Sequence, residues 1–186
     1  MRSIIRSVPA ACAATLLSAG VALAQQPTRV EFGIDAALTH VSLDLDPGSA
    51  SYNVFELPVR AVRAGFEVTP LVSVEPTLGI QSVSGDAGET RLNFDIGVPI
   101  SLSGPLNPAV TQAFLRPLIG FRHESFTGEH ADTQTALGVG IGMRAHMSGR
   151  LAARFEARYV HGLRAGDFLK STNELGLLAG VSFFTR

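Results

Sequence analysis

The stretch TRLNFDIGVPISLSG, residues 90–104, places a large apolar side chain at every second position. The positions between them carry polar residues, glycine and one proline. Successive side chains of a β-strand point to opposite faces, so this pattern predicts a strand with one apolar and one polar face. The apolar face must be covered, either by a protein core or by lipid.

Eight segments of the chain share this alternation, and they begin near residues 30, 57, 72, 90, 115, 137, 151 and 175. In the second segment the apolar positions change phase between Ala61 and Val62, as a β-bulge would produce. The seventh segment also fits a helix, because Leu151, Phe155 and Tyr159 are spaced by four. We favour a strand there, since alternation accounts for the charged positions as well.

The connections between the segments alternate between short and long. Residues 68–72 and 146–150 form tight turns, and residues 103–112 form a link of middling length. The long polar connections are residues 42–55, 82–89, 123–132 and 162–171. Short turns at one end and long loops at the other predict an all-β, eight-stranded antiparallel up-and-down barrel. Prolines interrupt several segments and leave the registers open near Pro58, Pro76, Pro99 and Pro117.

The distribution of side-chain size predicts which face of the barrel points outward. The polar phase carries nine glycines, while the bulky Leu, Ile, Val and Phe residues lie on the other phase. The inside of a small barrel is crowded, so small residues belong there and bulky apolar ones belong outside. The sequence therefore predicts a transmembrane barrel whose apolar face contacts lipid, rather than a soluble lipocalin-like barrel.

Charges of both signs share the polar phase with the glycines. Buried charges persist when they are paired and hydrogen-bonded, so we expect a polar network in the barrel interior. Arg122 lies on the same phase. The predicted members of the network are Glu31, Asp35, Glu75, Arg91, Asp95, Arg116, Arg144, Arg154, Glu156, Arg158 and Glu174.

Residues 1–24 have the layout of a cleaved secretory signal peptide, which leaves residues 25–186 as the barrel domain. Arg2 and Arg6 precede an apolar run that ends in the small-residue site ALA at residues 22–24. The only cysteine, Cys12, lies in this leader, so no disulfide is expected. Without the leader the basic count falls from 15 to 13 against 16 acidic residues, which gives no indication of a nucleic-acid partner.

Three stretches resemble the small outer-membrane β-barrel family of outer membrane proteins A and X: AGFEVTPLVSVEPTLGI, FEARYVHGL and ELGLLAGVSFFTR. The last is similar to the family's terminal assembly signal, although Phe184 is followed by Thr185 and Arg186. The resemblance implies a bacterial outer-membrane location and contact with outer-membrane lipid and lipopolysaccharide. It also implies recognition of the closing strand by the barrel-assembly machinery. We expect a monomer.

The motif RYVHG, residues 158–162, resembles the region around the catalytic histidine of the outer-membrane lipid A deacylases. In that family a serine follows two residues after the histidine, whereas Leu163 stands at that distance from His161. Glu174 could orient the histidine, but a base and an acid without a nucleophile do not make a triad. The sequence therefore predicts no enzymatic activity and a structural His161 at the membrane interface.

One cluster of histidines and acids lies in a predicted loop: His123, Glu124, Glu129, His130 and Asp132. We interpret it as a solvated acidic loop without metal or cofactor, because a loop does not guarantee convergent ligands. The leading hypothesis is a non-enzymatic outer-membrane barrel with a structural or surface-interaction role through long acidic loops. The alternatives are a narrow pore for ions or small solutes and a secreted soluble ligand-binding barrel.

Overall fold

The computed structural model describes residues 29–45, 48–83, 89–103, 111–126, 131–163 and 169–185. The predicted signal peptide lies outside the described residues. Within these ranges the chain forms nine strands: β1 Val30–Leu45, β2 Gly48–Thr69, β3 Val72–Val83, β4 Glu89–Gly97, β5 Ile100–Ser101, β6 Gln112–Phe126, β7 Ala131–Ser148, β8 Leu151–Gly162 and β9 Leu169–Phe184.

The strands close into a barrel in which each strand pairs antiparallel with its neighbours. The order is β2-β1-β9-β8-β7-β6-β4-β3, and the pairing of β2 with β3 closes the ring. The two-residue β5 pairs with β3 and β6, as β4 does, so β4 and β5 form one strand interrupted at Val98 and Pro99. This eight-stranded antiparallel barrel confirms the predicted fold class.

The wall of the barrel separates apolar and charged side chains. Large apolar residues such as Phe32, Ile141 and Leu177 are exposed on the outside, whereas Glu75 and Arg154 are buried inside. The crowded concave side thus carries the polar phase, as the side-chain sizes predict. No helix in the described ranges is long and apolar enough to cross a bilayer.

The β8 segment is a strand, so the helical alternative is wrong. Its burial alternates strictly along most of its length, which places Arg154, Glu156 and Arg158 inside and Phe155 and Tyr159 outside. Both neighbours, β7 and β9, pair with it over nearly its whole length. The backbone hydrogen bonds of those ladders outweigh the helix propensity of the local sequence.

The bulge of β2 lies just before the phase change that the sequence shows between Ala61 and Val62, and these two residues are themselves paired in regular register. In the β1–β2 ladder, Asp35 pairs with Ala61 while Ala37 pairs with Glu56, so β2 carries the extra residues of a bulge. Pro117 faces outward in β6 and opposes Val139 without a register shift.

The prediction of four long loops is wrong for residues 42–55 and 123–132, because strands continue through most of these two segments. The β1–β2 ladder reaches the pair Leu45–Gly48, and the β6–β7 ladder reaches Ser125–Ala131. In the other two segments only the edges belong to strands, since β3 ends at Val83, β4 begins at Glu89 and β9 begins at Leu169, and residues 84–88 and 164–168 lie outside the described ranges. The apolar alternation of the sequence therefore ends before the backbone pairing does.

Candidate functional site

The interior charges of the barrel converge on Glu75, a β3 carboxylate whose side chain is 0% exposed. Arg154 from β8 places Nη1 2.8 Å from Glu75 Oε1 and 2.9 Å from Oε2. Arg144 Nη2 from β7 lies 3.3 Å from Oε1, and Arg116 Nε from β6 lies 3.4 Å from Oε2. One carboxylate on β3 therefore links this strand to β6, β7 and β8 across the lumen.

A second carboxylate pair neutralises the arginine of β2. Arg63 binds Glu31 through Nη1 and donates from Nε to Asp35 Oδ2 at 2.9 Å. Its remaining Nη2 donates to Ser182 Oγ at 2.8 Å. Glu31 Oε2 also lies 2.7 Å from Arg144 Nη2. Because Arg144 contacts Glu75 as well, the residues around Arg63 and those around Glu75 form one connected group.

Glu156 completes the half of the interior near the chain ends. It accepts a hydrogen bond from Arg154 Nη2 at 2.8 Å and lies 3.4 Å from Arg116 Nη1. Arg116 also donates to Thr77 Oγ1 at 3.0 Å. Planar guanidinium groups with several fixed donors can bridge carboxylates in this way, whereas lysine offers a single point charge.

A smaller group fills the other half of the interior. Arg122 Nη1 lies 2.5 Å from Asp95 Oδ1, and its Nε lies 3.6 Å from Glu174 Oε1. Arg158 Nη1 lies 3.7 Å from Asp95 Oδ2. Arg91 is buried beside this group on β4. The structure therefore places all eleven residues of the predicted network inside the barrel. The contacts described above join ten of them, all except Arg91, into two connected groups.

Arg63 is the member that the sequence pattern did not single out. It is buried and holds two carboxylates, yet it follows the phase change in β2 directly. The face of each residue is predicted by counting in twos from the residues before it. After a change of phase this count assigns the following residues to the wrong face of the strand. The signal was present after the bulge, where Arg63 alternates with the outward Val62.

Glycines make room for the charged groups. Residues that oppose each other across an antiparallel ladder point to the same face. Arg63 opposes Gly33, Asp35 opposes Gly180, and Asp95 opposes Gly120. A Cβ on any of these three glycines would overlap the opposing charged side chain. The glycines of the polar phase therefore supply the volume that the arginines and carboxylates occupy.

Apolar groups close the remaining space in the described interior. Leu118, Ala136 and Val160 form a buried cluster beside the charges. At the mouth near the chain ends, Phe184 faces inward and lies under the guanidinium of Arg29, 4.3 Å from the ring centroid. The lipid-facing alternation of β9 therefore ends on Phe183 rather than on Phe184.

The cavities of the described part follow the same division. Two small interior cavities of about 10 Å³ each lie near Ser73 and Arg144. Each has room for about one water molecule. Two larger ones, of about 360 and 790 Å³, are lined mainly by outward apolar residues such as Phe32 and Leu177. The larger volumes are therefore grooves on the outer wall rather than an aqueous channel.

The structure does not assemble the deacylase-like residues into a triad. His161 Nδ1 lies 2.9 Å from Asn173 Oδ1 on the outward face of the wall. Glu174 points to the interior, where it pairs with Arg122, so the wall separates it from His161. Leu163 is exposed and offers no nucleophile.

The predicted His/acid loop is partly outside the described residues, which include neither Glu129 nor His130. Glu124 and Asp132 are opposed strand residues of β6 and β7. His123 is exposed, and its Nδ1 lies 2.8 Å from Thr133 Oγ1. Within the described ranges, no group of three or more His, Cys, Asp or Glu residues could hold a metal ion.

Comparisons with known proteins agree with this architecture. The family model described as "Outer membrane protein beta-barrel domain" matches residues 10–183. A comparison with curated protein sequences found no match.

Three solved structures are similar to this chain. Neisserial surface protein A (NspA) has a TM-score of 0.62 and 17% identity, over 83% of this chain and 96% of that one. The N-terminal β-barrel domain of Pseudomonas aeruginosa OprF has a TM-score of 0.51 and 14% identity, over 83% and 97%. The outer membrane protein OprG of Pseudomonas aeruginosa has a TM-score of 0.51 and 11% identity, over 86% and 96%. At these identities the likeness shows the fold alone.

Proposed function

Because the chain belongs to the outer membrane protein β-barrel domain family, we propose that it is a non-enzymatic integral barrel of the bacterial outer membrane with a structural or surface-interaction role. Membership of this family implies that the chain is located in the bacterial outer membrane. The barrel body is a rigid support, and its surface role resides in the strand ends that extend beyond the apolar band. The signal peptide of residues 1–24 would direct its export.

The filled interior is the observation that carries the proposal. Glu75 is fully buried among three arginines, and its network connects β1, β2, β3, β6, β7 and β8 across the lumen. Breaking a buried pair costs about 3–5 kcal/mol, so these side chains do not swing aside to open a path. Eight-stranded barrels are in general wide enough only for their own side chains.

The orientation follows the layout of such proteins. Both ends of the described chain lie at the same end of the barrel as the turns at Pro70–Leu71 and Gly149–Arg150. Short turns face the periplasm in outer-membrane barrels, so the extended hairpins of β1–β2 and β6–β7 face the cell exterior. Outer-membrane lipid and lipopolysaccharide would surround the wall, and the barrel-assembly machinery would recognise β9. The barrel would act as a monomer.

The competing functions lack support in the described residues. A narrow pore requires a continuous lumen, whereas buried charged side chains occupy the described interior and the two cavities near Ser73 and Arg144 hold about 10 Å³ each. A soluble carrier requires its bulky apolar side chains inside, whereas these residues cover the outside. An acyl hydrolase requires a nucleophile beside a histidine, and Leu163 stands in its place.

Planar-bilayer recording tests the proposal. We expect the refolded protein to insert, as judged by heat-modifiable migration on gels, and to pass no ion current. A double variant, Glu75→Ala with Arg154→Ala, removes one central pair without changing the net charge and checks that the assay detects an opened interior. A steady single-channel conductance of the unaltered protein would contradict the proposal and favour the pore.

A further inference from the structure

Three histidines occupy equivalent places on the outward face of the barrel. His40 on β1, His123 on β6 and His161 on β8 each lie at the outward position that follows a large apolar or aromatic residue. Those preceding residues are Leu38, Phe121 and Tyr159. We name His40, His123 and His161 the histidine belt.

The pairing registers place the three histidines of the belt at similar heights on the wall. The row of paired residues through His161 crosses β1 at Ser42, two residues beyond His40. In the other direction it crosses β6 at Ile119, four residues before His123. Strands of a closed barrel are tilted relative to its axis. Residues at the same height are therefore displaced from the paired row by somewhat more than one residue for each strand crossed.

The upper edge of the apolar band drifts in the same direction. The last large apolar outward residues are Leu38 on β1, Leu175 on β9, Leu137 on β7 and Phe121 on β6. Beyond them the outward face carries polar residues on these strands, such as Ser42 on β1. The belt therefore marks the level at which hydrocarbon gives way to headgroups.

Each imidazole of the belt is held by a side chain on the neighbouring strand. His40 Nδ1 lies 2.8 Å from Asn53 Oδ1, and His161 Nδ1 lies 2.9 Å from Asn173 Oδ1. Tyr159 also donates to Asn173 Oδ1, at 2.6 Å. An amide oxygen only accepts, so Nδ1 is the donor in both imidazoles and Nε2 is left for another partner.

The surroundings of the belt contain little fixed charge. His40 faces Asn53 and Leu175 on its neighbouring strands, with the exposed Asp44 as the nearest outward charged residue along β1. His123 faces Thr133 and Leu92 on β7 and β4.

His161 completes the belt, and it faces Asn173 on β9 and Leu137 on β7. Among the side chains that the structure describes, the outward face at this level carries no Lys or Arg.

We propose that the histidine belt is an acid-dependent binding surface for the phosphate groups of anionic lipid in the outer leaflet. Histidine is the side chain that changes charge between pH 5 and 8. Once protonated, each imidazole offers Nε2–H to a phosphate oxygen, and such charge-assisted bonds are roughly twice as strong as neutral ones. The inference rests on the proposed location of the barrel in the outer membrane.

The test compares thermal unfolding in vesicles of phosphatidylcholine alone and of phosphatidylcholine mixed with phosphatidylglycerol, at pH 5 and pH 8. We expect the anionic vesicles to raise the unfolding midpoint of the unaltered barrel at pH 5 but not at pH 8. The triple variant His40→Gln, His123→Gln and His161→Gln should lose this rise. Glutamine keeps a polar side chain for the cross-strand hydrogen bonds.

His146→Gln is the matched control, because this histidine faces inward at the opposite end, against Phe184. The variant should keep the full rise at pH 5. A rise that persists in the triple variant, or no rise in the unaltered barrel, would overturn the belt. Failure to insert into either vesicle would instead contradict the proposed membrane function, so the two failures are distinguishable.

Discussion

At the scale of the residue, the interior depends on matching each charge with a partner and each large group with a glycine. The alternation of the sequence predicts which charges point inward, because side-chain direction has a period of two. It does not predict which arginine meets which carboxylate. Glu75 binds Arg154, Arg144 and Arg116 across the lumen, and such contacts depend on barrel closure rather than on local pattern.

Replacing Glu75 with glutamine should be among the most damaging single changes in the interior. The substitution leaves three buried arginines without their shared carboxylate, and loss of one member of a buried pair costs about 3–5 kcal/mol. Urea unfolding of the barrel in detergent micelles measures this loss. Glu67→Gln, near the Pro70–Leu71 turn and only partly buried, should cost about 0–1 kcal/mol. Equal losses for the two variants would contradict the central position of Glu75.

The glycine at position 180 should not tolerate a methyl group. A Cβ there would overlap both the Asp35 carboxylate and the Ile34 carbonyl, and the backbone atom cannot move aside. Overpacking of this kind costs about 1–3 kcal/mol, which the same urea titration would detect. Gly149→Ala is the control, because its added Cβ meets no atom within 4 Å. If the two variants are equally stable, glycine does not set the interior volume.

At the scale of the element, the existence of the strands was easier to predict than their ends. The apolar period reports only the part of a strand that crosses the band, so it fails where β1 and β2 continue to Leu45 and Gly48. The same limit explains the extended β6–β7 hairpin, because its outer residues are mostly polar in sequence, for example His123, Glu124, Asp132 and Thr133. The bulge in β2 was visible in the sequence, but the phase change that it causes concealed Arg63.

Depth along β7 should decide the cost of an outward charge. Ile141 and Met147 lie on the same face of β7 and are each 58% exposed, but Ile141 lies in the middle of the apolar run and Met147 at its end beside the Gly149–Arg150 turn. Arginine at the bilayer midplane costs about 2–4 kcal/mol and near the interface about 0–1 kcal/mol. Unfolding of Ile141→Arg and Met147→Arg in phospholipid vesicles should show this difference. Two equally stable variants would indicate that β7 faces water along its length.

At the scale of the whole molecule, the division between an apolar exterior and a charged interior is the basis of both the membrane location and the closed lumen that we propose. Residue size predicted it from the sequence, because glycines and paired ions fit inside a narrow cylinder and bulky aliphatic groups do not. The family match is consistent with the same assignment. The chain has no tryptophan, so a single introduced tryptophan can report on either face without background.

Quenching by lipids brominated on their acyl chains measures that division most directly. Phe155 on β8 is 52% exposed on the outer wall, whereas Phe114 on β6 is 3% exposed inside, where Arg154 stacks on its ring. In vesicles, Phe155→Trp should be strongly quenched and Phe114→Trp should be protected. Strong quenching of Phe114→Trp together with protection of Phe155→Trp would show that the barrel has the opposite orientation.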